Sequence, residues 1–402
     1  METKPMCEYA FNELCQSRPE WLGEEYAFLK DSSMLGFHRS LPGYKPTPLC
    51  ELPDLAFRLG LGAVLVKDEA KRFNIKAFKA LGASYAIYRF LKKQWRLRFT
   101  TPFTPESFQD AGMLAELGHF TFCAATDGNH GRAVAWMAKK LGQKAVIYMP
   151  ADSVPARVEN ICGEGAEVVL VTGTFDDCVK RCAADTSKNG WQAISDTAYP
   201  GYHEIPGWIL LGYTTIFAEL EGVLHQPGKA GVDVVILPAG VGGLAAAGAF
   251  YYSKQYGAER PVLICVEPVS SDCFLESIRF GKGKALPTRG KQTSIMAGLN
   301  CGIPSPLAWP IVRDAMHFFL AVGDEYAKQA MRRYNHPLGI DPRIISGESG
   351  SSGLAALLAL TNSEKLATIR AKLPLGPNSR VLLLNTEGDT DPVNFQKIVK
   401  EK

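Results

Sequence analysis

The alternation of short apolar runs with longer amphipathic stretches is the feature of this sequence that most constrains its fold. The apolar runs, rich in valine and isoleucine, predict β-strands at residues 62–67, 120–125, 144–149, 167–171, 232–237, 261–266 and 380–384. The stretches between them predict helices at residues 77–96, 130–141, 175–188, 208–224, 244–256 and 354–360. Because apolar strands that alternate with helices are typical of parallel sheets covered on both faces, the predicted fold class is α/β.

The length of the chain, 402 residues, predicts two or three domains, because single domains usually contain about 100–200 residues. One strand–helix series ends near Leu224 and a second begins at Val232, with a predicted hinge containing Gly and Pro between them. We therefore expect a larger domain made of residues 1–78 and 225–402 and a smaller α/β domain made of residues 79–224.

The composition argues against several classes of protein. The formal charge is only +3 and no Lys/Arg run is present, so we expect no nucleic-acid partner. We also expect no signal peptide and no membrane span, since no apolar stretch has the required length. The ten cysteines never form Cys-x-x-Cys, which disfavours a zinc site and favours a cytoplasmic protein with reduced thiols. The sequence leaves open whether Cys273 and Cys301 pair.

A glycine-rich turn follows the predicted strand at residues 232–237 and opens an alanine-rich helix. The turn reads Gly240-Val241-Gly242-Gly243-Leu244. Glycines let a phosphate approach the backbone closely, and the start of a helix offers free amides and a positive dipole end. Three interpretations remain open: the turn binds a single phosphate, it binds a dinucleotide whose ribose contacts Glu267, or it binds no ligand.

Lys79 is unusual among the lysines because its neighbours Ala77-Phe78 and Ala80-Leu81 are apolar. Most lysines are exposed surface charges, and that interpretation stays open for any single one. An apolar setting, however, lowers the pKa of a lysine and frees its amine to form a Schiff base. Lys76, nearer the polar loop, is the rival candidate.

Two further polar segments follow predicted strands, at the sheet edge where α/β proteins bind ligands. The first is Thr126-Asp127-Gly128-Asn129-His130. Its amides suit a substrate carboxylate and Asn129 suits a ring oxygen, although a plain helix start capped by Asp127 with a structural His130 remains an alternative. In the second segment, after the last strand, the hydroxyl of Thr386 is suited to face a pyridine nitrogen.

In their order along the chain, these segments resemble the motifs of the fold type II, or β-family, pyridoxal-phosphate enzymes. The family motif Ser-Phe-Lys-x-Arg-Gly-Ala corresponds to residues 77–83, and the motif Ser-x-Gly-Asn-His corresponds to residues 126–130. The phosphate loop of the family corresponds to residues 240–244, and its Ser/Thr near the ring nitrogen corresponds to Thr386. The resemblance implies two domains with open, twisted, mostly parallel sheets and an active site in the interdomain cleft. It implies that pyridoxal 5'-phosphate is bound by Phe78, Lys79, Asn129, Gly240, Val241, Gly242, Gly243, Leu244 and Thr386.

At the positions where it departs from these motifs, the sequence resembles the diaminopropionate ammonia-lyases. Ala77 replaces the serine, Leu81 replaces the arginine, and Asp127 lies inside the Asn-His loop. This resemblance implies a homodimer that converts 2,3-diaminopropionate, a small amino acid, to pyruvate and two ammonia molecules by α,β-elimination, with the D and L forms both candidate substrates. Serine or threonine dehydration on the same fold is the nearest alternative. Two alternatives come from other classes. An NAD-dependent oxidoreductase leaves Lys79 and Asn129 unexplained, and in a non-catalytic amino-acid-binding protein a buried reactive lysine would lack a purpose.

The proposed elimination needs both a base and an acid, because the amine must depart protonated. Asp127 and Asp196 both follow predicted strands and are, with Lys79, the candidate catalytic residues. Asp127 is expected to act on the face of the substrate opposite Lys79, and Asp196 on the departing amine, although Asp196 as a turn cap is an even alternative. We expect the substrate itself to contact Thr126, Asp127, Gly128 and His130, and we expect no metal.

Overall fold

The structure is a computed structural model that describes residues 7–21, 23–126, 128–173, 175–224 and 231–401. Its strands are β1 (Cys7–Phe11), β2 (Leu49–Glu51), β3 (Ala63–Asp68), β4 (Thr121–Ala125), β5 (Lys144–Pro150), β6 (Glu167–Val171), β7 (Gln192–Ala193), β8 (Val234–Pro238), β9 (Val262–Pro268), β10 (Phe318–Val322) and β11 (Arg380–Asn385). Its α-helices are α1 (Met34–Ser40), α2 (Pro53–Leu59), α3 (Lys79–Arg96), α4 (Ala111–Leu117), α5 (Asn129–Lys140), α6 (Pro155–Gly163), α7 (Phe175–Asn189), α8 (Glu204–Tyr213), α9 (Thr215–Leu224), α10 (Gly243–Tyr256), α11 (Cys273–Phe280), α12 (Ala308–Ala315), α13 (Asp324–Asn335), α14 (Ser352–Asn362), α15 (Ala367–Arg370) and α16 (Pro392–Lys400).

The predicted α/β class is confirmed, and every strand predicted from an apolar run is present. The helix expected over residues 208–224 is instead two helices, α8 and α9, separated at Thr214. The hydroxyl of Thr214 donates to the carbonyl of Leu211 at 2.6 Å. A hydroxyl that binds a carbonyl of the preceding turn competes with the helical hydrogen bonds and favours such a break.

Contacts divide the chain into two compact units. The first contains residues 1–22, 46–71 and 216–402, and the second contains residues 23–45 and 72–215. Residues 23–45, which the expected division placed in the larger domain, therefore group here with the smaller one.

The first unit is built on a seven-stranded sheet in the order β1-β10-β9-β8-β11-β3-β2. The five inner strands are parallel, and the edge strands β1 and β2 pair antiparallel with β10 and β3. Leu383 of β11 lies opposite Ile236 of β8, so both strands end at the same sheet edge. That edge carries the glycine-rich turn after β8 and Thr386 after β11.

The second unit contains a parallel four-stranded sheet in the order β6-β5-β4-β7. Cys123 of β4 lies opposite Ala193 of β7, so the segments that follow these neighbouring strands start side by side. The segment after β4 is the Asn-His loop and the segment after β7 leads to Asp196. The parallel register therefore brings together two segments that are far apart in the sequence.

Helices α3 and α8 of the second unit approach each other through glycines. A Cβ atom on Gly82 would lie 2.5 Å from the ring of Tyr213, and one on Gly212 would lie 2.6 Å from the carbonyl oxygen of Leu81. Neither position has room for a side chain. The first turn of α3, which begins with Lys79, is thereby held close to Tyr213 at the end of α8.

Candidate active site

Lys79 forms an ion pair with Asp196 inside the second unit. Its Nζ donates to Asp196 Oδ2 at 2.6 Å, and the two side chains are 20% and 18% exposed. The same nitrogen lies 5.3 Å from the ring centroid of Phe78 and 5.8 Å from that of Tyr213. Aromatic faces attract cations, so the amine is held between two rings and a carboxylate.

The segment before Lys79 has an uncommon backbone conformation. Phe73, Asn74 and Lys76 have φ angles of 47°, 62° and 59°, in the left-handed region that residues other than glycine seldom adopt. Arg132 of α5 stabilises the bend by donating to the carbonyl of Ile75 at 3.1 Å. Such conformations persist where the surroundings enforce them and are concentrated at functional sites.

Asp196 is held in place by a half-buried tyrosine that sequence reasoning missed. The hydroxyl of Tyr202 accepts from the amide of Ser195 and donates to the carbonyl of Ala193, both at 2.9 Å. Burial raises the pKa of Asp196, but the positive charge of Lys79 and the Lys79 hydrogen bond outweigh it. The net effect is a pKa well below the usual range, so Asp196 is a carboxylate at neutral pH.

His130, an expected substrate-binding residue, is buried and donates a hydrogen bond to the backbone. Its Nε2 lies 2.6 Å from the carbonyl oxygen of Ile194, and because a carbonyl can only accept, Nε2 carries the proton. The other ring nitrogen, Nδ1, lies 3.9 Å from Asp196 Oδ2. Burial lowers the pKa of His130 and the charge of Lys79 lowers it further, against the opposing effect of Asp196. The ring is therefore neutral at neutral pH.

The loop between β4 and α5 is organised by Thr126. Its hydroxyl accepts hydrogen bonds from the amides of Gly128 at 3.0 Å and Gly131 at 3.2 Å. Thr126 thus pairs with backbone amides at the start of the helix. Gly128 has φ of 149°, a conformation that side chains rarely permit, and Asn129 is the first residue of the helix. Asp127 lies outside the described residues.

The glycine-rich turn of the first unit has no room for side chains at its centre. Gly242 has φ of 98°, and a Cβ atom there would lie 2.3 Å from the ring of Phe274. The amide of Ser305 donates to the carbonyl of Val241 at 2.9 Å and fixes the turn. Gly242 precedes the 14-residue helix α10 without any side-chain cap. The turn therefore presents the bare start of a helix, a common binding site for phosphate.

Glu267, the residue expected to bind a ribose in a dinucleotide site, has a different role. Its carboxyl group is fully buried and accepts from the amides of Phe274 at 2.8 Å and Leu275 at 2.9 Å. It caps the start of α11 and cannot face a ligand. The dinucleotide interpretation of the glycine-rich turn is therefore wrong.

Comparison with known proteins identifies the family to which this chain belongs. The profile of the family described as "Pyridoxal-phosphate dependent enzyme" matches residues 41–386. Diaminopropionate ammonia-lyase of Escherichia coli K12 is 41% identical over 365 residues, which are 91% of this chain and 90% of that protein. This chain belongs to the diaminopropionate ammonia-lyase family of pyridoxal-phosphate-dependent enzymes.

Solved structures of the family superimpose on nearly the whole chain. The Escherichia coli diaminopropionate ammonia-lyase in complex with D-serine has a TM-score of 0.86 and 38% identity, over 98% of this chain and 96% of that one. The same enzyme in complex with an aminoacrylate-PLP azomethine reaction intermediate has a TM-score of 0.85 and 37% identity, with the same coverage. The expected fold type II architecture is thereby confirmed.

The residues of this chain fit the family's cofactor, pyridoxal 5'-phosphate. The turn around Gly242 forms a cradle that a Cβ atom would fill, and Thr386, 4% exposed, follows β11 at the same sheet edge. Lys79 offers an amine between aromatic rings. Tyr213, like Tyr202, was not among the expected site residues, since nothing in the sequence around these tyrosines distinguishes them from core aromatic residues.

Three other expectations concern ligands and thiols. Cys273 and Cys301 are both free thiols. Among the described residues, no group of three or more His, Cys, Asp or Glu side chains is arranged to hold a metal ion. Within the same part of the chain, no helix combines the length and the apolar character needed to cross a membrane.

Proposed function

We propose that this chain catalyses the α,β-elimination of 2,3-diaminopropionate, which with one water gives pyruvate and two ammonia molecules. The observation that carries the proposal is the ion pair of Lys79 with Asp196. It places a cofactor-binding amine beside a carboxylate that suits a second amino group. Membership of the diaminopropionate ammonia-lyase family supports the substrate.

The cofactor, when bound, supplies an electron sink for the negative charge that develops at Cα. We infer that Lys79 holds it covalently and that the amides of 240–244 hold its phosphate. Phe78 and Asn129 are proposed to contact the ring, and Thr386 its nitrogen. A hydroxyl leaves that nitrogen largely unprotonated, which favours prompt loss of the β-substituent over a long-lived carbanion.

The substrate carboxylate is proposed to bind the amides of the Asn-His loop, with Thr126, Gly128 and the backbone of His130 around it, because the free ring nitrogen of His130 is an acceptor. Lys79 is the proposed base for the L form and Asp127, on the opposite face, for the D form. The relative crystallised with D-serine supports a site that admits a D-amino acid.

The electrostatics of Asp196 suggest how the β-amine departs. With Lys79 charged, Asp196 stays ionised and suits binding of an ammonium group. When substrate enters, the Lys79 amine is bound to the cofactor, so its ammonium charge no longer pairs with the Asp196 carboxylate. The ionised Asp196 can then bind the β-ammonium and keep it protonated until it departs as ammonia.

Pyruvate release from diaminopropionate, serine and threonine tests the proposal. We expect diaminopropionate to be the best substrate, whereas a preference for a hydroxy amino acid would favour the dehydratase alternative. Borohydride reduction followed by peptide mapping should place the cofactor on Lys79. Finding it on Lys76 would refute the assignment.

We further propose a homodimer, which rests on the family resemblance, and a cytoplasmic location, which rests on the reduced, scattered cysteines. Light scattering of the purified protein should give twice the chain mass of 43.8 kDa. Fractionation of the source cells should place the protein with cytoplasmic markers. A monomer, or recovery in another fraction, would contradict these proposals.

A further inference from the structure

The ammonium group of Lys79 lies in a recess of the second unit that suits any alkylammonium. The recess is formed by the Asp196 carboxylate, at 2.6 Å from the Lys79 nitrogen, and by the ring faces of Phe78 and Tyr213 at 5.3 Å and 5.8 Å. Carboxylates and aromatic faces both stabilise cations. With His130 these side chains make up what we call the ammonium recess.

Two buried polar atoms of the ammonium recess, the Tyr213 hydroxyl and His130 Nδ1, make no hydrogen bond to the part of the chain that the structure describes, and His130 Nδ1 is the one beside Asp196. His130 is 4% exposed, and its Nδ1 makes no hydrogen bond to any residue that the structure describes. Buried polar atoms are nearly always hydrogen-bonded in folded proteins, so an unpaired one calls for a ligand, a water or a catalytic role. This nitrogen lies 3.9 Å from Asp196 Oδ2, so both atoms can contact the same bound group.

The polarity of that nitrogen follows from its neighbour. Because Nε2 donates to the carbonyl of Ile194, Nδ1 of the neutral ring carries a lone pair and can only accept. His130 Nδ1 and the Asp196 carboxylate both offer acceptors to a ligand. A ligand group that can only accept is therefore disfavoured here, and a group with several N–H donors is favoured. An ammonium has three such donors.

We propose that His130 Nδ1 and Asp196 together bind the β-ammonium group of the substrate and thereby select a 2,3-diamino acid over a 2-amino-3-hydroxy acid. The inference rests on the proposed function, in which the Lys79 amine is bound to the cofactor when substrate enters, so the ammonium recess is open to the β-ammonium. A β-ammonium can donate to both acceptors at once. A β-hydroxyl has one donor and no charge, so it leaves one buried acceptor unpaired.

Two variants of His130 separate the acceptor from the structural bond. In His130→Gln the amide lies near the position of Nε2, so the bond to Ile194 is kept and the acceptor beside Asp196 is lost. In His130→Asn the amide lies near Nδ1, so its oxygen can still turn toward an ammonium while the bond to Ile194 is lost. These variants are therefore a matched pair.

The measurement is the ratio of kcat/KM for diaminopropionate to kcat/KM for serine of the same hand. We expect His130→Gln to lower this ratio about 10- to 100-fold, the loss typical of one hydrogen bond to a charged group. His130→Asn should keep the ratio within about threefold of the parent, even if both rates fall. Cofactor absorbance and thermal melting show whether each variant is folded and loaded.

The outcomes distinguish this inference from the proposed function. A parent enzyme that releases no pyruvate from diaminopropionate refutes the proposed function itself. An active parent together with an unchanged ratio in His130→Gln overturns the role of Nδ1. Equal losses of the ratio in both variants also overturn it, since they would assign His130 to holding the Asp196 loop.

Discussion

Replacing Glu267 by glutamine should change how the stability of this protein depends on pH. Glu267 is fully buried, and its burial, opposed by the amides of Phe274 and Leu275, raises its pKa from 4.5 to about 8. The folded protein therefore keeps a proton on this group between pH 4.5 and 8 that the unfolded chain releases. Stability consequently falls as pH rises through this range.

The size of the effect follows from the two pKa values. A difference between 4.5 and about 8 corresponds to about 5 kcal/mol, lost at about 1.4 kcal/mol per pH unit. In Glu267→Gln this dependence disappears, but the amide NH₂ faces one of the two backbone donors and leaves it unpaired. That costs roughly 1–3 kcal/mol at every pH. The parent should therefore be more stable at pH 5, and the variant should equal or exceed it near pH 8.

Urea unfolding followed at pH 5, 6, 7 and 8 measures the difference between parent and variant. Exposed Glu259 of the same unit supplies the control, and Glu259→Gln should alter the free energy of unfolding equally at each pH. The reasoning is refuted if the difference between the parent and Glu267→Gln stays constant across this range. A constant difference would mean that the buried carboxyl is ionised in the folded protein.

Three further predictions concern the active site. Gly242→Asp should release the cofactor on dialysis, because its side chain would collide with Phe274, whereas Gly376→Asp, with open space around it, should retain the cofactor. Asp196→Asn should keep the cofactor absorbance and lose about 10²–10⁴-fold in pyruvate release, and near-normal turnover would return Asp196 to a structural role. Asp127→Asn should selectively lose activity on D-diaminopropionate, measured by steady-state rates on each enantiomer, and equal losses would instead indicate binding of the β-ammonium.

The sheets could be predicted from the sequence because their inner strands are buried on both faces. Uniform burial selects runs of valine, isoleucine and leucine, as in β8 and β11, whose residues are almost all buried. The edge strands β1 and β2 are partly exposed and lack such runs, and they were missed. The two-residue strand β7 was also missed, and so was β10, although β10 is an inner strand buried along its whole length. The positions of the glycine-rich turn and Thr386 followed directly, since parallel strands place their carboxyl ends at one edge.

The partners of individual side chains could not be predicted in the same way. The spacing of Glu267 from the glycine-rich turn fits a ribose-binding acid, but its carboxyl group instead caps α11 through two backbone amides. The choice between these roles depends on where α11 begins, which is set by tertiary packing. Likewise, the hydrogen bonds of Tyr202 on either side of Ile194 depend on the path of one short loop.

The surroundings of Lys79 show why the sequence pattern is incomplete without packing. The apolar neighbours of Lys79 in the chain suggest a lysine buried among aliphatic side chains, yet its amine meets a carboxylate and two aromatic rings. Tyr213 can reach it only because Gly82 and Gly212 let α3 and α8 approach so closely that a Cβ atom at either position would collide. Glycine inside a helix costs about 1 kcal/mol relative to alanine. In these two helices that cost is offset by an approach that no larger residue permits, so the two glycines determine the geometry around the Lys79 amine.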